Sequence, residues 1–180
     1  MMNRTVVSVA GLLMILGVAG CSAEVIHNPG PSSSQNPSAT VREATTAQYG
    51  NAVAVNVARL RPAIDSFKSH NCPRSYTAGL ATPDRVSCGV TLLTIRDSAS
   101  SLTVSLAQAE TPSSAAAYLG RPPTAIQTLV VDTTAAAHIL RRTAGALRSC
   151  HAEQCPARVR DLDAAMISMT SLLDAWKRYL

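Results

Sequence analysis

The stretch Val159–Leu180, VRDLDAAMISMTSLLDAWKRYL, decides the fold. Val159, Leu162, Met166, Met169, Leu173, Trp176 and Leu180 recur at alternating steps of three and four. A helix of 3.6 residues per turn gathers such positions on one face, whereas a half-buried strand needs alternation every second residue. Pro156, just upstream, suits a first helical turn, where its missing N–H has no partner to lose. The segment therefore predicts an amphipathic helix running to the chain end. Met166, Met169 and Trp176 are read as its core side rather than as a ligand pocket.

Working back along the chain, the same period recurs. Ile126, Leu129, Thr133, Ala137, Leu140, Ala144 and Leu147 predict a helix over 124–149. Cys88, Leu92, Ile95, Ala99, Leu102, Leu106 and Ala109 predict another over 86–110. The piece VTLLTI within it suits a strand when read alone, but the continuing period decides for helix. A first helix is expected over 40–69. It opens with Thr40-Val41-Arg42-Glu43, a capping-box pattern, and its apolar positions include Val41, Ala44, Ala52, Val55, Leu60, Ile64 and Phe67. Pro62 lies inside this pattern and is expected to kink or break it. Residues 71–85 carry Pro73, Gly79 and Pro83, and residues 111–123 carry Pro112, Gly120 and Pro122-Pro123, so both read as connections.

Composition agrees with helices. Of the 180 residues 47% are hydrophobic but only 3% aromatic, a poor supply for strands, which favour aromatic and β-branched side chains. The expected fold is all-α: an up-down four-helix bundle of helices about 25 residues and 37 Å long, with disulfide-pinned loops at one pole.

The N-terminus carries a different signal. Met1–Arg4 is a short basic start, and residues 5–18 form an apolar run of about 14 residues. That length suits a signal-peptide core and is short of the roughly 20 residues a membrane span needs. Val18-Ala19-Gly20-Cys21 closes the run and resembles the lipobox of bacterial lipoproteins. The resemblance covers only the first 21 residues. It implies cleavage before Cys21 and attachment of a diacylglyceryl group to its thiol. Two or more buried acyl chains give stable anchoring, at about 0.8 kcal/mol per methylene. The Arg-rich, Lys-poor composition looks like that of an actinobacterial lipoprotein. Residues 22–39, SAEVIHNPGPSSSQNPSA, show no periodicity and read as a flexible tether spanning about 24 Å. The expected organisation is a signal peptide over 1–20, a lipidated cysteine and tether over 21–39, and a helical domain over 40–180.

Setting Cys21 aside leaves four of the five cysteines, an even number for an oxidising compartment. In an up-down bundle Cys72, Cys88, Cys150 and Cys155 fall at one pole. Local pairing, Cys72 with Cys88 and Cys150 with Cys155, is expected, while the two crossed connectivities remain open. A metal site from Cys150, His151 and Cys155, with His70 and Cys72 nearby, is the sharper alternative, but the spacing lacks the close cysteine pairs of zinc sites. No C-x-x-C redox pair is present.

Charge and motif patterns bound the function. The formal net charge is +5, and Lys68 and Lys177 are the only lysines. Basic tracts interleaved with aromatics are absent, so nucleic acid is not an expected partner. The cysteine pole gathers Lys68, Arg74, Arg85, Arg148, Arg158 and Arg160, partly offset by Asp65, Asp84, Glu153, Asp161 and Asp163. This is a candidate contact surface for an anionic wall polymer or an acidic envelope protein. Trp176, Lys177, Arg178 and Tyr179 resemble an interfacial anchor or simply finish the last helix. The sequence has no G-x-S-x-G, H-E-x-x-H or Gly-rich phosphate loop. His138 reads as a surface or satisfied side chain, and Asp161 and Asp163 are spaced too closely to share a helix face. No catalytic residue, metal or cofactor is assigned. The expectation is a membrane-tethered, non-enzymatic interaction module of the cell envelope. The alternative is a carrier that holds a small apolar ligand or lipid between its helices.

Overall fold

The computed structural model describes residues 44–78, 83–114 and 116–180. The signal-peptide and lipobox residues, Cys21, the tether and the Thr40–Glu43 pattern lie outside them. The described chain is all-helical, with five helices packed against one another: α1 (Thr46–Ser69), α2 (Cys72–Thr77), α3 (Pro83–Glu110), α4 (Thr124–Arg148) and α5 (Cys155–Trp176). α1 packs along α3, α3 along α4 and α4 along α5, while α5 also meets α1. The short α2 lies against α3 and α5. No helix among the described residues is long and apolar enough to cross a membrane.

The stripes read from the sequence form most of the core. All seven positions predicted on α3 are buried. So are Ile126, Thr133, Ala137, Leu140, Ala144 and Leu147 of α4, and Leu162, Met166, Met169, Leu173 and Trp176 of α5. Each large apolar side chain removed from water contributes about 1.5–3 kcal/mol before the entropy of ordering it is subtracted. Leu180 departs from the pattern and is 52% exposed, because α5 ends at Trp176 and the helical period no longer aims the side chain inward.

α1 departs further from its predicted pattern. It begins with a capping box at Thr45, not within the outlying Thr40 pattern. The Gln48 N–H donates to Thr45 Oγ1 at 3.2 Å, and the Thr45 N–H donates to Gln48 Oε1 at 2.9 Å. Its buried stripe runs through Tyr49, Val53, Val57, Leu60, Ile64 and Phe67, which leaves Val55 60% exposed. Pro62 neither breaks nor ends the helix, which runs on from Thr46 to Ser69. Proline there removes the donor that Ala58 C=O would accept, but Pro62 and Ala58 are both exposed, on the solvent side of the helix, where a lost backbone bond costs least. Leu60, Ala63, Ile64 and Phe67 are buried on both sides of the proline and hold the helix in line.

The 71–85 connection is not all loop. Asn71 takes the left-handed conformation at φ 53°, which asparagine tolerates better than most residues, and turns the chain into α2. Pro73 occupies the first turn of α2, and Cys72, Ser75 and Tyr76 are its buried residues.

Polar side chains inside the fold are paired. Asn56 of α1 donates to Ser105 of α3 at 3.0 Å. The indole N–H of Trp176 donates to Thr133 Oγ1 of α4 at 2.9 Å, and both residues are fully buried. Trp176 therefore belongs to the core and is not available as an interfacial anchor. Among the described residues no buried side-chain nitrogen or oxygen lacks a partner.

The end of the fold where α1 starts is knotted by backbone contacts. The Ala44 N–H donates to Arg121 C=O at 3.2 Å, and the buried Tyr49 hydroxyl donates to Gly120 C=O at 2.7 Å. Gly120 has φ 110°, a conformation that only glycine adopts without strain. Burial pushes the Tyr49 phenol up to about 12, with smaller contributions from Glu110 and Tyr118. Gly50 sits against the C-terminal turn: a Cβ there would lie 2.0 Å from the Tyr179 carbonyl oxygen.

Candidate functional site

The other end carries the chemistry assigned from the sequence. α1 ends at the His70 cap, and its 24 residues separate the two ends by about 36 Å at 1.5 Å per residue. Cys72 at the start of α2 is bonded to Cys88 in the second turn of α3, with Cα atoms 5.5 Å apart. Cys150, just past α4, is bonded to Cys155 at the start of α5, with Cα atoms 5.3 Å apart. Both bridges are the local pairings. Cys72, Cys88 and Cys155 are buried and Cys150 is half-buried, so the bridges brace the edge of the core. With their sulfurs joined, none of these four cysteines offers a thiolate to a metal or a substrate. Among the described residues no group of three or more His, Cys, Asp or Glu side chains is placed to hold a metal ion.

Tyr76 draws two of the basic residues, Arg85 and Arg148, toward one ring. It lies at the buried edge of α2, with the Arg85 guanidinium over its ring at 5.3 Å from the centroid. Burial raises the pKa of its phenol, and the positive charges of Arg85 and Arg148 oppose that rise. α2, the start of α3 and the end of α4 thus converge on this ring. Arg85 is half-buried by the stacking, while Lys68, Arg74, Arg148, Arg158 and Arg160 are exposed. Of these, Arg158 is within 3.7 Å of Asp161, an exposed pair of small energetic weight. The remaining exposed heads are not held in ion pairs among the described residues and stand ready to donate to an anion. His70 turns inward on its own helix, its Nδ1 lying 2.9 Å from Ser66 C=O and 3.0 Å from Ser66 Oγ. The His151 carbonyl accepts from the backbone N–H groups of Gln154 and Cys155 and so closes the α4–α5 turn. His138 is exposed mid-helix on α4, and Asp161 and Asp163 are exposed near the start of α5.

Tyr76 was not singled out from the sequence. Its signal was the dipeptide Cys72-Pro73, a first-turn pattern inside a stretch that otherwise reads as loop. The ion pair between Arg61 and Asp174 was also missed, because its partners are 113 positions apart in sequence. Asp174 near the end of α5 accepts from Arg61 of α1 and, at 2.8 Å, from Lys177. The hydrogen bonds from Arg61 and Lys177 hold the Asp174 carboxyl below the usual carboxylate range, and the same bond raises the Arg61 guanidinium.

Among the described residues, three grooves between helices stand out. One of about 430 Å³ lies between α1, α3 and the 111–120 connection, lined by Gln48, Asn51, Ser105, Gln108 and Leu119. A second, of about 290 Å³, follows α1 and α3 past Asn56, Arg59 and Asp97. A third, of about 410 Å³, lies between α4 and α5. All three have polar groups at the rim.

Comparison with protein-family models, with curated proteins and with solved structures returns no match to this chain.

Proposed function

We propose that this protein is an extracytoplasmic lipoprotein, held to the cell membrane through acylated Cys21, that acts as a non-enzymatic interaction module of the envelope. In this reading the fold is an up-down four-helix bundle with α2 as an accessory turn, and its disulfide-braced end is the contact surface. The single observation that carries the proposal is the pairing of two disulfides with a cluster of exposed guanidinium groups at the end of α1 remote from where the chain enters the helical body. Disulfides suit an oxidising compartment outside the cytoplasm. A bundle tethered at the start of α1 would present this end away from the bilayer, where an anionic wall polymer or an acidic envelope protein is within reach. Arginine suits both, since its planar fork grips carboxylate and phosphate in a bidentate manner.

The interaction reading is preferred over a carrier of an apolar ligand. Among the described residues the grooves are open along the surface, with amides, hydroxyls or charged groups in the lining of each, whereas apolar cargo sites are enclosed.

The experiment has two parts. Cys21→Ala should move the protein from the membrane fraction to the soluble extracytoplasmic or unprocessed pool, and retention at the wild-type level refutes the anchor. Crosslinking in the native envelope should capture a neighbour that is lost on joint replacement of Arg74, Arg148 and Arg160 by Glu. Capture unaffected by that change refutes the contact surface.

A further inference from the structure

We infer that the outer face of α4 is a self-complementary surface on which two copies of this chain pair antiparallel about a two-fold axis. The inference rests on the outer face of α4 and describes the chain away from a shared bilayer, because an antiparallel pair sets the disulfide end of each copy beside the entry end of the other.

α4 buries one stripe, yet it carries a second heptad-like stripe that faces outward. Thr128, Asp132, Ala135, Ile139, Arg142 and Ala146 follow one another at steps of four and three, the spacing of a helix–helix seam. Thr128, Asp132, Ala135 and Arg142 are exposed, Ala146 is half-buried, and Ile139 keeps 45% of its surface in water. The stripe borders the groove of about 410 Å³ between α4 and α5, where Asp132, Ala135 and Ile139 face Ser168, Ser171 and Leu172. Small side chains on both banks let another helix approach closely, and the hollow accepts an isoleucine-sized knob.

Its order of charges selects the occupant. Asp132 stands at one end of the apolar centre and Arg142 at the other, about 15 Å apart along the helix. Neither forms an ion pair within the described chain. A two-fold axis at the level of Ala137 sets Asp132 against Arg142 of the second copy, Ala135 against Ile139, and Thr128 against Ala146. Each pairing then occurs twice, as an isologous interface requires. A parallel pairing would set Asp132 against Asp132 and Arg142 against Arg142 and is disfavoured. The face is thus complementary to itself in one orientation and opposed to itself in the other.

The test is a charge swap on the full-length chain, carrying its own N-terminus and solubilised in mild detergent, with protein mass read by light scattering across a dilution series. The wild type is expected to be a dimer that dissociates on dilution. Asp132→Arg and Arg142→Asp, each alone, create like-charge pairs twice over and should weaken dimerisation by about ten- to a hundredfold. Combining the two restores both pairs with opposite polarity and should restore the dimer. Far-ultraviolet circular dichroism should stay unchanged, and so should thermal midpoints at dilutions where all the proteins are monomeric, since both positions are exposed. A wild type that is monomeric at tens of micromolar overturns the inference. So does a dimer indifferent to either single change, which would place the contact on another face. A double variant as weak as the singles refutes the antiparallel register.

Discussion

Substituting Gly50 by alanine probes the closest approach in the fold. A Cβ at this position would sit 2.0 Å from the Tyr179 carbonyl oxygen and 2.9 Å from its carbon. Ordinary contact distances exceed 3.4 Å, so α1 and the turn after Trp176 must separate by more than an ångström. The obstacle is backbone, which cannot swing aside as a side-chain tip would. Overpacking of this kind costs about 2–3 kcal/mol. Opposing it, alanine is favoured over glycine within a helix by about 1 kcal/mol. The net expectation is a loss of about 1–2 kcal/mol, or roughly 3–10 °C in the thermal midpoint for a body of this size. Gly89 and Gly145 supply the contrast, because a Cβ at either meets nothing within 4 Å. Alanine at those sites should gain about 0.5–1 kcal/mol. Thermal unfolding followed by circular dichroism ranks the three variants. The chain's single tryptophan, Trp176, adds a local readout. Its emission should shift to the red in Gly50→Ala alone, as the C-terminal turn is pushed away from Thr133. If Gly50→Ala is stabilised as much as the other two, with emission unchanged, the proposed close packing of α1 on the chain end is wrong.

Three further predictions concern bonds within the fold. Replacing Cys72 and Cys88 by serine should destabilise more than replacing Cys150 and Cys155, about 3 against 2 kcal/mol from loop-closure entropy for separations of 16 and 5 residues; urea midpoints in the reverse order would contradict this. Thr133→Val leaves the Trp176 N–H buried without an acceptor and should cost about 1–3 kcal/mol, while Thr133→Ser should recover most of it; equal stability of Val and Ser variants would dismiss the bond. Tyr49 is protonated in both folded and unfolded chains below pH 10, so its contribution is constant there. Above that the unfolded phenol ionises first, and stability should fall as pH rises through the folded value of about 12. Tyr49→Phe should lack that part of the alkaline decline and lose about 1 kcal/mol at neutral pH with the Gly120 bond; an alkaline profile identical to the wild type would remove Tyr49 as its source.

How much of this was legible depended on how local each cause is. α3, α4 and α5 were readable because their apolar positions hold one period for six turns or more, and tertiary packing then agrees with that period. α1 was less so. Val55 fits a three-and-four spacing as well as Val53 or Val57 does, and nothing in the sequence says which face meets α3. Pro62 was over-weighted, because its cost depends on whether the freed carbonyl is wet, and that is set by the fold. Helix order placed the four cysteines near neighbouring helix ends but left the crossed connectivities open, and the local pairing is settled only by the structure. The Tyr76–Arg85 stacking, the Trp176–Thr133 bond and the Gly50–Tyr179 contact join residues 9, 43 and 129 positions apart. No spacing rule reaches the longer two, and the shortest was hidden by a loop-like composition. The basic residues were visible as a list, but the seating of Arg85 on the buried Tyr76 ring, with the charge of Arg148 acting on the same phenol, was not.

The knot at the start of α1 also fixes how force would travel through this molecule. A pull on the residues before Ala44 loads the Ala44–Arg121 backbone bond first, then the Tyr49–Gly120 bond, and so passes into the connection ahead of α4. Both disulfides lie beyond the far end of α1, outside that mechanical path. Under tension the fold should therefore peel from its entry side, while the covalently braced end keeps its shape until most of α1 has been stripped from α3.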